Sequence, residues 1–186
     1  MARYNAPKQV IMFSHRWIVG FIAVILSTDA YPCQRADPVS SVDMVKQADV
    51  IVRVTAVEYA VAPRSPNMRT TGEPDSAIHF KVLEVIRGVM QPELILPGYL
   101  VDHDDFNDHE PPYNFVRPNG REGSCFANSY RLGAQFLLLL KEKQSGGFTV
   151  NWYALGPVNE QLHSTNDPWL RWVREQVQKQ TVRNGK

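Results

Sequence analysis

The segment Asp102-His103-Asp104-Asp105-Phe106-Asn107-Asp108-His109-Glu110 gathers five carboxylates and two imidazoles in nine positions. Such a density attracts divalent cations: carboxylate oxygens suit calcium, and two histidines with a carboxylate suit zinc. The candidate ligands are Asp102, His103, Asp105, Asp108 and His109. The spacing is not that of an EF-hand, because the turn glycine and the distal glutamate are missing. Nor do the two histidines sit on one helix face, since Pro111-Pro112 follow at once. A solvated acidic loop is therefore the preferred reading, with Arg117, Arg121 and Arg131 close enough in sequence to answer the acids across it. In the sharper alternative, Arg117 and Arg121, beside the turn at Asn119-Gly120, bind an anion or a partner's carboxylate.

Nucleophilic and phosphate-transfer chemistry lack a motif. There is no Gly-x-Ser-x-Gly, no His-Glu-x-x-His and no glycine-rich phosphate loop. His79, His103, His109 and His163 stand singly, and Asp105 with His109 is an acid–base pair that no further residue supports. The chain reads as non-enzymatic and in need of no cofactor. The alternative is a metal-dependent enzyme or metal-binding protein that uses the loop 102–110.

Only two cysteines occur, Cys33 and Cys125. What they do depends on the compartment, and the first thirty residues address it. Arg3, Lys8, His15 and Arg16 precede an apolar run from Trp17 to Leu26 that no carboxylate interrupts. That is the order of a secretory signal peptide, and the run is half the roughly twenty residues that a membrane-spanning helix needs. Ser27-Thr28-Asp29-Ala30 supplies small residues for cleavage after Ala30. The mature chain, 31–186, is then exported, periplasmic or extracellular, with no stable membrane anchor. In an oxidising compartment the two cysteines form one disulfide, worth ~4.5 kcal/mol in the chain-entropy model for so long a loop. A reactive thiol or a two-cysteine metal site has no CxxC or histidine spacing behind it.

Cleavage removes three basic side chains and one acidic one, which takes the formal charge from +1 to −1. That balance excludes a nucleic-acid backbone as the ligand, since binding one needs a surplus of Lys and Arg. What remains suits a single core, without repeats or a low-complexity linker.

Along that core, Val42, Val45 and Ala48 recur at helical spacing behind a Ser40 or Ser41 cap, which predicts a short helix over 39–48. Val50, Val52, Val54 and Ala56 alternate as a strand over 50–57. A Pro- and Gly-rich loop fills 59–75. Ile78, Phe80 and Val82 alternate in a second strand that shifts phase to Leu83 and Val85, the mark of a bulge. Strands follow at 93–96, 134–141 and 148–155, the fourth carrying the block Phe136 to Leu140, expected to be buried on both faces. Between the third and fourth lies the longest loop, 100–124. Asp167-Pro168 opens a C-terminal helix to about 180, whose apolar face is Trp169, Leu170, Val173 and Val177. The fold class is mainly β: a five-stranded, OB-like, closed or nearly closed barrel with a short helix at one end and a longer one at the other. A two-sheet sandwich is the runner-up.

The order of these features resembles the OB-fold family of tissue inhibitors of metalloproteinases and netrin-like modules, in particular small bacterial relatives. Its carriers are Cys33, the helix end Lys46-Gln47-Ala48-Asp49, the strand Val50 to Val57, and Phe80-Lys81-Val82-Leu83-Glu84-Val85-Ile86-Arg87-Gly88. Ser124-Cys125-Phe126 and Tyr130-Arg131-Leu132-Gly133 complete the series, so the likeness covers roughly 33–162. The resemblance implies an N-terminal cysteine, held by a disulfide, whose amine and carbonyl chelate a protease's zinc. Cys33 matches that cysteine. However, Tyr31-Pro32 precede it, and Arg35 stands where the family carries a second cysteine. Cleavage after Ala30 leaves the amine two residues from the chelating position. The expectation is a binding module that contacts a protein partner through its N-terminal region and the long loop. Its candidate contacts are Cys33, Gln34, Arg117, Arg121 and Trp172. Trp152 and Trp169 read as core, and Trp172 as the exposed aromatic.

Overall fold

The computed structural model describes residues 39–65, 73–122 and 124–184, which belong to one compact unit. The proposed signal peptide, Cys33 and Gln34 lie outside the described residues.

Helix α1, Ser41–Gln47, begins where the Ser40 hydroxyl oxygen accepts from the Asp43 amide at 3.1 Å. Asp43 in its first turn and Lys46 in its last both suit the helix dipole. Its buried face is Ser41, Met44, Val45 and Ala48, an i, i+3, i+4, i+7 series. Val42, expected on that face, is exposed because it lies one residue off this stripe.

β1 (Val50–Val61) pairs antiparallel with β2 (Ala77–Arg87), which pairs with β3 (Glu93–Pro97). The predicted bulge falls at the phase change: Arg53 opposes Glu84 and Val54 opposes Val82, so Leu83 is the extra residue. Further register shifts near Ala56 and Tyr59 bend the outer half of β1. At the turn after β2, Gly88 has φ +78°, and a Cβ there would lie 2.7 Å from the Asp49 carbonyl oxygen. Only glycine fits without movement.

After β3 the chain forms β4 (Tyr99–Val101) and the long loop with its 3-10 turn, Pro118–Arg121. It continues with β5 (Ser129–Arg131), β6 (Gln135–Glu142), β7 (Phe148–Val150) and β8 (Asn159–Gln161), and ends in α2 (Pro168–Asn184). The main sheet runs β3-β2-β1-β6-β7, with β8 also paired to β6. β4 and β5 make a separate parallel pair. The sheet is not hydrogen-bonded into a closed barrel among the described residues, and eight strands replace the five expected. The additional strands β4, β5 and β8 have three residues each, too few to leave a period-two signature.

Phe136 to Leu140 of β6 are buried on both faces, as their uninterrupted apolar run predicts. α2 starts at Asp167, whose Oδ1 accepts from the Trp169 amide at 2.8 Å, and it buries Trp169, Leu170, Val173 and Val177. On the sheet side Glu84 accepts from Arg174 at 2.6 Å and from Arg53 at 3.1 Å. These bonds, Arg174's first, hold the Glu84 carboxyl below the usual carboxylate range.

Candidate functional site

An irregular loop of this length has backbone groups that no sheet ladder satisfies, so side chains must bond them wherever it is buried. Here the side chains come from β8. Asn159, Glu160 and Gln161 are all polar and all essentially buried. Gln161 Oε1 accepts from the Asp105 amide at 2.9 Å. Glu160 accepts from Asn107 Nδ2 at 2.8 Å and from the Arg117 amide at 3.3 Å. Asn159 Nδ2 donates to Tyr130 Oη at 2.8 Å.

Arg117 is the centre of this network and is fully buried. Its Nη1 pairs with Asp105, Nε donates to the Asn159 carbonyl at 3.0 Å, and Nη2 to the Ala127 carbonyl at 3.4 Å. Its guanidinium carbon also lies 5.4 Å from the ring centroids of both Tyr130 and Phe136. The other Asp105 oxygen accepts from the Asn119 amide at 3.1 Å, and Asn119 Oδ1 accepts from the amides of Asn128 and Ser129. Both arms of the loop are thereby fixed to the sheet. Burial pushes the Glu160 carboxyl up to about 7, against the downward pull of Arg117 and Asn107.

The acidic segment divides between inside and outside. Asp108 pairs with Arg121 at 2.6 Å, Asp104 with Arg131 at 2.6 Å, and Asp102 with His103 at 3.2 Å. The hydrogen bond from Arg121 lowers the Asp108 carboxyl, and that from His103 lowers Asp102. The five candidate ligands Asp102, His103, Asp105, Asp108 and His109 are not brought together, because Asp105 turns inward to Arg117 while the others stay outside. Among the described residues no group of three or more His, Cys, Asp or Glu side chains could hold a metal ion. His109 faces Asp108 at 3.6 Å and the Phe115 ring at 6.1 Å, and Asp105 is committed elsewhere, so the acid–base pair is not formed either.

One partner contact needs correction, and a second is less exposed than expected. Arg117 cannot meet a partner's anion, because no part of it reaches the surface; the loop needs its charge inside. Trp172 is half-buried rather than free: it stacks on Trp169 at 4.9 Å, and Trp169 stacks on Tyr113 at 4.9 Å. This three-ring stack fastens α2 to the loop. Arg121 stays partly exposed on its bond to Asp108.

Sequence reasoning missed a groove of about 350 Å³ beside Cys125. Pro74, Pro97, Phe126, Asn128, Thr149 and Trp152 line it. Phe126 and Trp152 meet edge to face at 5.3 Å, and Trp152, packed against the core as expected, keeps part of its ring accessible. The turn behind it is held in an uncommon conformation: Cys125 has φ +64° and Leu155 φ +59°. The Leu155 amide donates to the Cys125 carbonyl at 2.8 Å, and the Val116 amide to the Leu155 carbonyl at 2.9 Å. The one sequence signal was the pair Cys125-Phe126 at the end of the long loop. Its counterpart Trp152 lies beyond β5, β6 and β7 in the chain.

Against known proteins, no family model matches the chain and no curated sequence is similar enough to count as a relative.

Proposed function

We propose that this chain is an exported, non-enzymatic binding module of OB-like, TIMP- or netrin-like build, which grips a protein partner at the groove beside Cys125. The observation that carries the reading is the groove itself: two edge-to-face aromatics beside a turn anchored by backbone bonds, with Pro74 and Pro97 completing the wall. A rigid aromatic surface loses little entropy on binding, and aromatic side chains dominate interface energies.

The barrel reading draws on connectivity. β1, β2 and β3 form a meander, β6 lies on the other side of β1, and the two ends of the path, β3 and β7, come within 8 Å between Cα atoms. Pro97 and Thr149 border the groove from those two ends. In the mature chain Cys33 bridges to Cys125, the neighbour of the groove residue Phe126. The signal sequence, cut after Ala30, sends the chain to an oxidising compartment. A start at Tyr31 places the α-amine away from Cys33, so the partner is recognised by side chains in the groove rather than by chelation of its metal. The near-neutral mature chain lacks the basic surplus that a nucleic-acid backbone requires, and a binding role needs no cofactor.

A photo-reactive amino acid at position 152, introduced in the secreting cell, tests this reading. A discrete cross-linked protein at 152, absent when the probe replaces exposed Val89 at the other end of β3, is the expected result. No adduct at 152, or the same adducts at both positions, would overturn it.

A further inference from the structure

One guanidinium in the buried network faces two carboxyl groups. Arg117 is committed to Asp105 and to the carbonyls of Asn159 and Ala127. Glu160 is left with neutral donors, Asn107 Nδ2 and the Arg117 amide. With all three groups ionised the enclosed charge is net negative, a state that a water-excluded interior holds at high cost. One proton removes it. Among the described residues the remaining neighbours do not supply a cation. β6 sets Phe136, Leu137 and Leu138 opposite β8, and burial keeps the hydroxyl of Tyr113 in the loop protonated, with Asp167 at the start of α2, Glu160 and Glu110 adding to it. Asp104, held by Arg131, lies on Gln161. Burial moves the Glu160 carboxyl into the neutral range.

We propose that Glu160 is a proton-operated latch for the long loop. Protonated, it leaves the enclosed network neutral, and residues 104–119 stay packed against β8; ionised, its uncompensated charge in a buried site outweighs the stronger bonds it accepts from Asn107 and the Arg117 amide, draws in water and releases them. The loop yields before the sheet does, because segments held by a few side-chain bonds open locally at lower free energy than a packed strand. The latch depends on the buried network alone, whatever the groove binds.

Hydrogen exchange of the whole chain between pH 6 and pH 8, corrected for intrinsic rates, reads the latch directly. Peptides covering 103–121 should open about tenfold more at pH 8, while β1 and β6 stay protected. In Glu160→Gln the loop's protection should become independent of pH. A wild-type loop whose protection is constant across this range, or a Glu160→Gln protein that keeps the wild-type response, overturns the proposal. Infrared spectroscopy of the wild type with carboxyl-labelled glutamate covers a variant that does not fold. A protonated-carboxyl band that titrates near neutrality supports the latch, and its absence at pH 6 overturns it.

Discussion

Truncating Arg117 would strand Asp105 and Glu160 in the interior without their cation. Removing one member of a buried ion pair typically costs about 3–5 kcal/mol, much of it from the charge left behind. Arg117→Met should therefore show a large drop in the urea midpoint. Arg121→Ala, which removes a bond to exposed Asp108 and the packing of a partly buried stem, should lower the midpoint far less. Equal losses in the two variants would contradict the division of the loop into a buried and a solvated half. The sequence makes the opposition of acids and arginines legible, since both sets lie within thirty residues. Which arginine turns inward is not legible there, because the choice is made by Asn159 and Glu160, more than forty positions downstream. The groove was hidden for the same reason: Phe126 and Trp152 meet only once the turns at Cys125 and Leu155 are bonded together.

Elements with their own periodicity or caps were readable, and those defined by their partners were not. α1, β1, β2, β3, β6 and α2 each carry a stripe, an alternation or an N-cap that needs no tertiary context. β8 is the contrary case: Asn159-Glu160-Gln161 reads as loop, and is a strand because Leu137 and its neighbours on β6 pair with it. The start of α2 gives a direct test of the capping argument. Asp167 accepts from the Trp169 amide through Oδ1 and from the His163 amide through Oδ2. Asp167→Ala should cost about 1–2 kcal/mol in denaturant unfolding, and Asp167→Asn should recover part of that. At the β2–β3 turn, Gly88→Ala must strain a backbone with φ +78° and press a methyl on the Asp49 carbonyl. It should destabilise by more than about 1 kcal/mol, whereas Gly146→Ala, with open space around its Cβ, should cost less. Similar unfolding midpoints for the two alanine variants would refute the steric part of this account.

For the molecule as a whole, opposed carboxyl shifts set the response to pH. Asp49 is held low by the Glu142 amide and by Lys141, and Glu84 by Arg174 and Arg53. A depressed carboxyl contributes stability that is present above its ordinary range near 4 and is lost as pH falls through the folded value. Glu160 has the opposite sign: its raised value gives a contribution present below the ordinary range and lost as pH climbs through about 7. The thermal midpoint should therefore peak between these limits and decline on both sides. Glu160→Gln should remove the decline on the alkaline side only, as differential scanning calorimetry at a series of pH values would show. The mainly β class was legible at this scale from alternation and turn residues. The number of strands was not, because the short ones are specified by distant partners.

Everything proposed for the groove stands on export and on a bridge at its edge. Mass spectrometry of the unreduced protein, purified from the producing cell's periplasm or medium and digested without reduction, measures both together. The account predicts a mature chain that begins at Tyr31 and a linked peptide pair containing Cys33 and Cys125. A chain that still begins at Met1, or two unlinked cysteine thiols, would contradict it.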